Sequence, residues 1–220
     1  TAVMTALSGE KIAFIGLGLM GRPMALNLEK AGAILTVNTR NPETLNAFED
    51  LGIATAGTPA DAVSDADIVI ICVANTPALE NVLLGEDGVI DGIDEGTIVI
   101  DMGTTSVEAT RRFADAVEDA GGTWIDAPVS GGTHGAENGT LSIMVGAAKK
   151  DFERAHRVFD VLGARVTHVG DVSSGQIAKA ANQMIVGITI GAVAEAFSMA
   201  DEAGVDLEKL RSALTGGFAD

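Results

Sequence analysis

Three polar side chains stand in helical register on an otherwise apolar stretch: Lys179, Asn182 and Gln183. Lys179 is the only lysine or arginine between Arg165 and Lys209, and Glu195 is the only other charge in the run Ile177–Ala200. Spacings of three and four residues put such side chains on one face of a helix. Polar groups on a greasy helix need partners, and a bound cofactor and substrate would supply them. An ammonium at hydrogen-bond distance from a carbonyl oxygen stabilises the developing alkoxide and hands it a proton. The reverse reaction needs the neutral amine, which desolvation on an apolar helix promotes. Asn182 and Gln183 can orient lysine or substrate without adding charge. The bland alternative is a lysine that snorkels from the start of its helix.

The glycines supply a second kind of chemistry. Lys11–Ile15 reads as a strand and is followed at once by Gly16-Leu17-Gly18-Leu19-Met20-Gly21, with a helix opening at Arg22-Pro23. This is G-x-G-x-x-G between strand and helix, the context that binds a dinucleotide. Gly16 permits the tight turn, Gly18 lets backbone approach a pyrophosphate, and Gly21 lets the helix pack closely on the strand. NAD binders usually carry a carboxylate at the end of the second strand. Here that place holds Asn38-Thr39-Arg40, with no acid before Glu43. Arg40 could pair with a 2′-phosphate, so NADP is favoured, with NAD as the alternative. A second glycine segment, Ser130-Gly131-Gly132, offers a hydroxyl and backbone amides suited to a carboxylate. A plain structural turn reads equally well from the pattern.

The elements that must position these groups alternate. Buried strands are expected at Lys11–Ile15, Ile34–Val37, Ile68–Val73, Ile98–Ile100 and Trp124–Ala127, with further candidates at Leu141–Val145 and Arg165–Val169. Helices are expected between them at Arg22–Ala31, Pro42–Leu51, Pro59–Val63, Pro77–Leu83, Val107–Ala120 and Lys150–Val161. Such alternation predicts an α/β fold, a Rossmann-type doubly wound sheet that is mostly parallel and covered on both faces. After Gly170 the strand signal ends. A helix of about thirty residues is expected over Ser173–Ala203, capped by Ser173 or Ser174 and stopped at Gly204, with a second over Leu207–Leu214. A helix that long should link domains or join subunits. The expected organisation is a tail over residues 1–10, a dinucleotide-binding domain over 11–172, and a linker helix with the start of an all-α domain over 173–220.

The bulk properties narrow the partners. The net charge of −17 argues against nucleic acid and anionic membranes. Cys72 is the lone cysteine, so neither a disulfide framework nor a multi-cysteine metal site is expected, and no metal site is assigned. The head, Thr1–Glu10, lacks the basic and apolar regions of a signal peptide. The longest charge-free run, Ala180–Ala194, is short for a membrane span. A cytoplasmic protein follows as the expectation. His134 is expected on a loop surface, His168 at a solvated strand end, and Trp124 in the core.

Several segments carry a resemblance. Phe14–Leu28, Ile100–Thr105, Asp126–Gly146 and Gly175–Gln183 follow one another as they do in the β-hydroxyacid dehydrogenases, the 3-hydroxyisobutyrate dehydrogenases and their relatives. Within that family the chain looks most like the tartronate semialdehyde reductase branch, through Asn41-Pro42-Glu43, Ala181-Asn182-Gln183 and Gly216-Gly217. The resemblance implies that Lys179 is the catalytic group and that Ser130, Gly131 and Gly132 hold a substrate carboxylate, with Asn182 and Gln183 nearby. It also implies that Val73, Ala74, Ala78 and Thr104 line the cofactor beside Gly16, Gly18 and Gly21. Many members carry Asn in place of Gln183, and the close branch often has Asp in place of Thr39. Members also continue through further helices, which include a second lysine that reaches the cofactor.

The leading expectation is therefore an NADP-preferring reductase of a small anionic aldehyde acid, reversible as a hydroxyacid dehydrogenase and associating through its long helix. The alternatives are an imine reductase-like enzyme, against which Lys179 counts, and a non-catalytic dinucleotide-binding module.

Overall fold

The computed structural model describes residues 6–219. The chain divides into two compact units, one ending at Lys179 and the other beginning at Ala180. In the first, the strands are β1 (Lys11–Ile15), β2 (Ile34–Asn38), β3 (Ala54–Thr55), β4 (Ile68–Ile71), β5 (Ile98–Asp101), β6 (Thr123–Asp126), β7 (Val129–Ser130), β8 (Leu141–Gly146) and β9 (Gly163–Gly170). They form a single sheet in which β3, β2, β1, β4, β5 and β6 lie side by side and parallel. That order reverses at β1, between its neighbours β2 and β4. A doubly wound sheet takes its ligand at such a switch point, beyond the carboxyl ends of the strands. β8 runs antiparallel to the end of β6 and to β7, and parallel to β9.

Alternation along the central strands explains why β1, β4 and β5 are almost wholly apolar and buried. Phe14, Ile70 and Ile100 enter one core; Ala13, Ile15, Val69, Ile71 and Val99 enter the other. Successive side chains point to opposite faces, so both faces need helices. The first face packs α1 (Gly21–Lys30), α2 (Pro42–Glu49) and α8 (Lys149–Leu162) through Met24, Leu28, Phe48 and Phe159. The second packs α3 (Pro59–Val63), α4 (Thr76–Leu84), α5 (Val89–Gly92) and α6 (Val107–Asp119) through Val63, Leu79, Leu83, Val89, Phe113 and Val117. Trp124 sits in this core as expected, 6.2 Å from the Phe113 ring.

The structure corrects the sequence reading at several places. β3 and β7 have two residues each, too few for a period to show. The second glycine segment does not end in a plain turn, because Gly132–Asn138 forms helix α7. His134 is exposed but lies on that helix rather than on a loop. His168 is not a solvated strand end: its Nε2 lies 2.7 Å from the Ala147 carbonyl and its ring stacks on Phe152. A carbonyl can only accept, so Nε2 carries the proton. In the expected tail, Thr1–Thr5 lie outside the described residues, but Leu7 and Glu10 are tied to the domain while Ser8 and Gly9 are exposed. Leu7 is fully buried, its N–H donates to Ala31 O at 3.0 Å, and Arg157 pairs with Glu10 at 2.8 Å.

The second unit holds the remainder of α9 (Ser174–Glu202) and α10 (Leu207–Leu214). Gly204, at φ +76°, follows the end of α9, and the Asp206 carboxylate caps α10 by accepting from the N–H groups of Glu208 and Lys209. By length and composition α9 qualifies as a helix able to cross a membrane. Lys179, Asn182, Gln183 and Glu195 make it a poor one, since each would need a partner in hydrocarbon. Met184, Ile185, Ile188, Ile190 and Val193 on it are exposed.

Candidate active site

The glycine turn is built by sterics that can be read atom by atom. Gly16 has φ +95°, and a Cβ there would stand 2.2 Å from the Cys72 carbonyl oxygen. A Cβ on Gly21 would stand 1.9 Å from Gly16 O and 3.0 Å from the Phe14 ring. Both positions therefore exclude any other residue while the turn keeps its shape. Gly18 differs: it is exposed, and a Cβ on it would meet no protein atom within 4 Å. Its backbone is bare toward open space, at the start of a helix whose first amides carry positive partial charge. That combination fits a diphosphate.

The turn forms one wall of a cleft of about 540 Å³. Gly16, Leu17 and Gly18 line one side, Asn38, Thr39 and Arg40 the end of β2, and Val73, Ala74 and Ala78 the opposite side. Cys72, Asn75, Pro77 and Asn81 also line it. Four expected cofactor residues do not. Leu19 is 84% exposed, Met20 packs against the core, Gly21 is buried under the turn, and Thr104 is exposed on the loop after β5. The Cys72 thiol is pushed up to about 12 by burial, which disfavours the thiolate.

At the end of β2 the three expected residues separate by role. The Asn38 side chain is buried and donates to Ala56 O at 2.9 Å, while the Asn38 backbone carbonyl accepts from Gly16 N at 3.0 Å. It shapes the wall rather than offering a free amide. Asn41 caps α2 by accepting from Glu43 N, with Pro42 in the first turn. This leaves Arg40 exposed at the cleft, and no ion pair or side-chain hydrogen bond holds it among the described residues.

Ser130 closes β7, paired with Ser142 of β8, and Gly131 and Gly132 follow at φ +137° and +61°. Two successive left-handed glycines turn the chain straight from strand into α7. A side chain at either would be strained.

Lys179 is buried, at 8% exposure. Desolvation lowers its pKa from the usual 10.5, and no hydrogen bond or ion pair reaches its ammonium among the described residues. Its helix is anchored by side chains whose part in the site was not anticipated from the sequence. Asp126, at the end of β6, accepts from Ser173 N at 2.6 Å and from Gln176 N at 2.9 Å. This carboxylate, not a serine hydroxyl, caps α9; the Ser173 hydroxyl instead accepts from Arg111 Nε at 3.2 Å. Gly175 is pressed so close that a Cβ would stand 2.4 Å from Met144 O. Asp101, at the end of β5, is fully buried and accepts from Gly103 N, Thr105 Oγ1 and Gln176 Nε2. Burial raises its carboxyl to about 7 against the lowering effect of those three donors. Asn182 and Gln183 belong to the second unit, where Asn182 Nδ2 donates to Gln183 Oε1 at 3.0 Å.

Comparison with known proteins decides the family. Residues 11–170 match the model of the NAD binding domain of 6-phosphogluconate dehydrogenase. Residues 173–220 match that of the NAD-binding segment of NADP-dependent 3-hydroxyisobutyrate dehydrogenase. The chain is 46% identical over 209 residues to 2-hydroxy-3-oxopropionate reductase of Escherichia coli, covering 95% of this chain and 71% of that protein. The chain belongs to the 3-hydroxyisobutyrate dehydrogenase-like β-hydroxyacid dehydrogenases. These are NAD(P)-dependent oxidoreductases acting on CH–OH groups, and the cofactor is a nicotinamide dinucleotide. A structure of Mycobacterium tuberculosis 3-hydroxyisobutyrate dehydrogenase with L-serine superposes with a TM-score of 0.88 at 32% identity, covering 96% of this chain and 72% of that one. An imine reductase from Myxococcus stipitatus with NADP+ reaches a TM-score of 0.84 at 21% identity, covering 93% and 70%, which shows a shared fold.

Proposed function

We propose that this β-hydroxyacid dehydrogenase reduces a small aldehyde acid of the tartronate semialdehyde class to the hydroxyacid with NADPH, and runs the reverse oxidation. The observation that carries the reading is Lys179: a buried lysine with a lowered pKa, on a helix whose first turn is fixed to the ends of β5 and β6. The bound dinucleotide supplies hydride to the aldehyde carbon, or removes it from the hydroxyacid. In reduction the Lys179 ammonium donates a proton to the carbonyl oxygen as charge develops there; in oxidation the neutral amine accepts it. Ser130 and the Gly131 and Gly132 amides hold the substrate carboxylate, and Asn182 and Gln183 orient the reacting oxygen. The 46% identity to the E. coli reductase supports this substrate class.

Turnover of NADPH with tartronate, methylmalonate and succinate semialdehydes and glyoxylate tests the reading. Tartronate semialdehyde should give the highest kcat/KM; turnover of a cyclic imine and none of these would overturn it. A protein that binds NADPH but turns over nothing would be the non-catalytic module.

NADP preference rests on Arg40 standing exposed at the cleft, without an ion pair among the described residues, and on the lack of an acid in Asn38-Thr39-Arg40. Arg40→Asp should weaken NADPH about tenfold or more, the loss of a charge-assisted phosphate contact, and improve NADH. Unchanged preference in a two-cofactor titration contradicts the assignment.

The domain limits proposed are 11–172 for the dinucleotide domain and 173–220 for the linker helix and the start of a helical domain, in a cytoplasmic protein. Self-association through the exposed apolar residues of α9 belongs to the same proposal. Sedimentation should show a mass above the 22.4 kDa of one chain, and a monomer at all concentrations would sink it.

A further inference from the structure

Gln176 makes more defined contacts than any neighbour on the first turns of α9. It is 2% exposed. Its Nε2 donates to Gly103 O at 2.9 Å and to Asp101 Oδ2 at 3.3 Å, and its Oε1 accepts from Thr105 N at 3.0 Å. One carboxamide thus grips the backbone on both sides of Thr104, much as a neighbouring strand would. The gripped loop leads on to the cofactor cleft. A Cβ on Gly103 would lie 3.0 Å from Val73 O, and Ser106 N donates to Thr76 Oγ1 at 3.1 Å. Val73 lines the cleft, and Thr76 opens the helix whose Pro77 and Ala78 line it.

Lys179 follows Gln176 by three residues, on the same helix face and about 4.5 Å further along the axis. The side chain that fixes the loop therefore also fixes the start of the lysine's helix. Asp126 holds the Gln176 backbone N–H at the same point, and Asp101 takes the second amide proton. The carboxamide is held by three groups, Gly103, Thr105 and Asp101, while Asp126 and the helix hold the backbone that carries it.

We propose that Gln176 is a positioning residue that sets the distance between Lys179 and the cleft wall. The proposal rests on the reading of Lys179 as the proton-transferring group. Loss of the clamp leaves lysine and cofactor present but out of register, and a displacement of about 1 Å can cost about a hundredfold in rate.

The test uses the full chain with Gln176→Met, which keeps volume and loses the clamp, and Gln176→Asn, which keeps the amide on a shorter stem. NADPH affinity is read by fluorescence titration, Thr105 amide exchange by hydrogen–deuterium exchange, and kinetics with tartronate semialdehyde. For both variants kcat should fall about 10- to 100-fold, with KM for the aldehyde changing less than about threefold. Thr105 exchange should speed at least about tenfold and NADPH should bind several-fold more weakly, because the loop is released. Lys179→Ala, run in parallel, should lose kcat yet keep Thr105 protection and NADPH affinity.

Unchanged Thr105 exchange and NADPH affinity in both Gln176 variants overturns the clamp. A released loop with parental kcat overturns its role in positioning. If Lys179→Ala turns over like the parent, the lysine reading fails instead, and the positioning role fails with it while the clamp is still judged by exchange and affinity.

Discussion

Replacing Lys179 with alanine is expected to lower kcat for aldehyde reduction about a thousandfold, while NADPH affinity stays within about threefold. A positioned general acid contributes roughly 10²- to 10⁴-fold, and a charge aimed at a developing oxyanion contributes on a similar scale. In the proposed mechanism one side chain does both, so a loss of about 4 kcal/mol of transition-state stabilisation is the expected size. The affinity should hold because Lys179 does not line the dinucleotide cleft. Stability should hold or rise, because a buried amine with no side-chain partner among the described residues is removed. Steady-state kinetics with a cofactor titration separates these quantities. A kcat within a few-fold of the parent would remove Lys179 from the chemistry.

The second large effect comes from the glycine turn, where two neighbouring glycines should fail in opposite ways. Gly16→Ala puts a side chain at φ +95° and 2.2 Å from a backbone oxygen. Left-handed strain and overpacking each cost about 1–3 kcal/mol, so a loss of about 3 kcal/mol or more is expected, a drop of roughly 6–12 °C in Tm for a chain this size. The cleft loses its shape and its cofactor together. Gly18→Ala meets no protein atom within 4 Å, so its Tm should match the parent. Its methyl group instead enters the space where a diphosphate would approach, and NADPH should bind about tenfold or more weakly. Equal Tm losses in the two variants, or full NADPH affinity in Gly18→Ala, would contradict this division of labour.

How much of this could be read from the sequence depended on distance along the chain. The glycine turn was legible because strand, glycines and helix occupy adjacent residues, and each glycine has a separate steric reason. The central strands were legible because runs such as Ile68–Ile71 are buried on both faces. β3 and β7 were not, since two residues carry no period, and α7 was hidden because its glycines look like a turn. Leu7 is isolated in sequence and shows its burial only against Ala31.

The anchor of the lysine's helix was the least legible part. Asp126 meets Ser173 across 47 positions, and Gln176 meets Asp101 across 75. Asp101 and Asp126 each end an apolar strand, where an acid looks like an ordinary strand stop. Only the fold shows that both carboxylates are buried and that each receives backbone or amide donors from the same helical turn. Lysine and glycine turn could be named from local pattern, but what places one against the other is nonlocal.

The central claim is that Lys179 passes the proton, and the pH dependence of kcat in both directions tests it most directly. Burial lowers the lysine below 10.5, and the two directions need opposite forms of it. Reduction requires the ammonium, so its kcat should fall as pH rises through the lowered pKa. Oxidation requires the neutral amine, so its kcat should rise over the same interval, with one shared ionisation that vanishes in Lys179→Ala. Profiles that stay flat in both directions up to the ordinary lysine range, or an ionisation that survives in Lys179→Ala, would contradict the account.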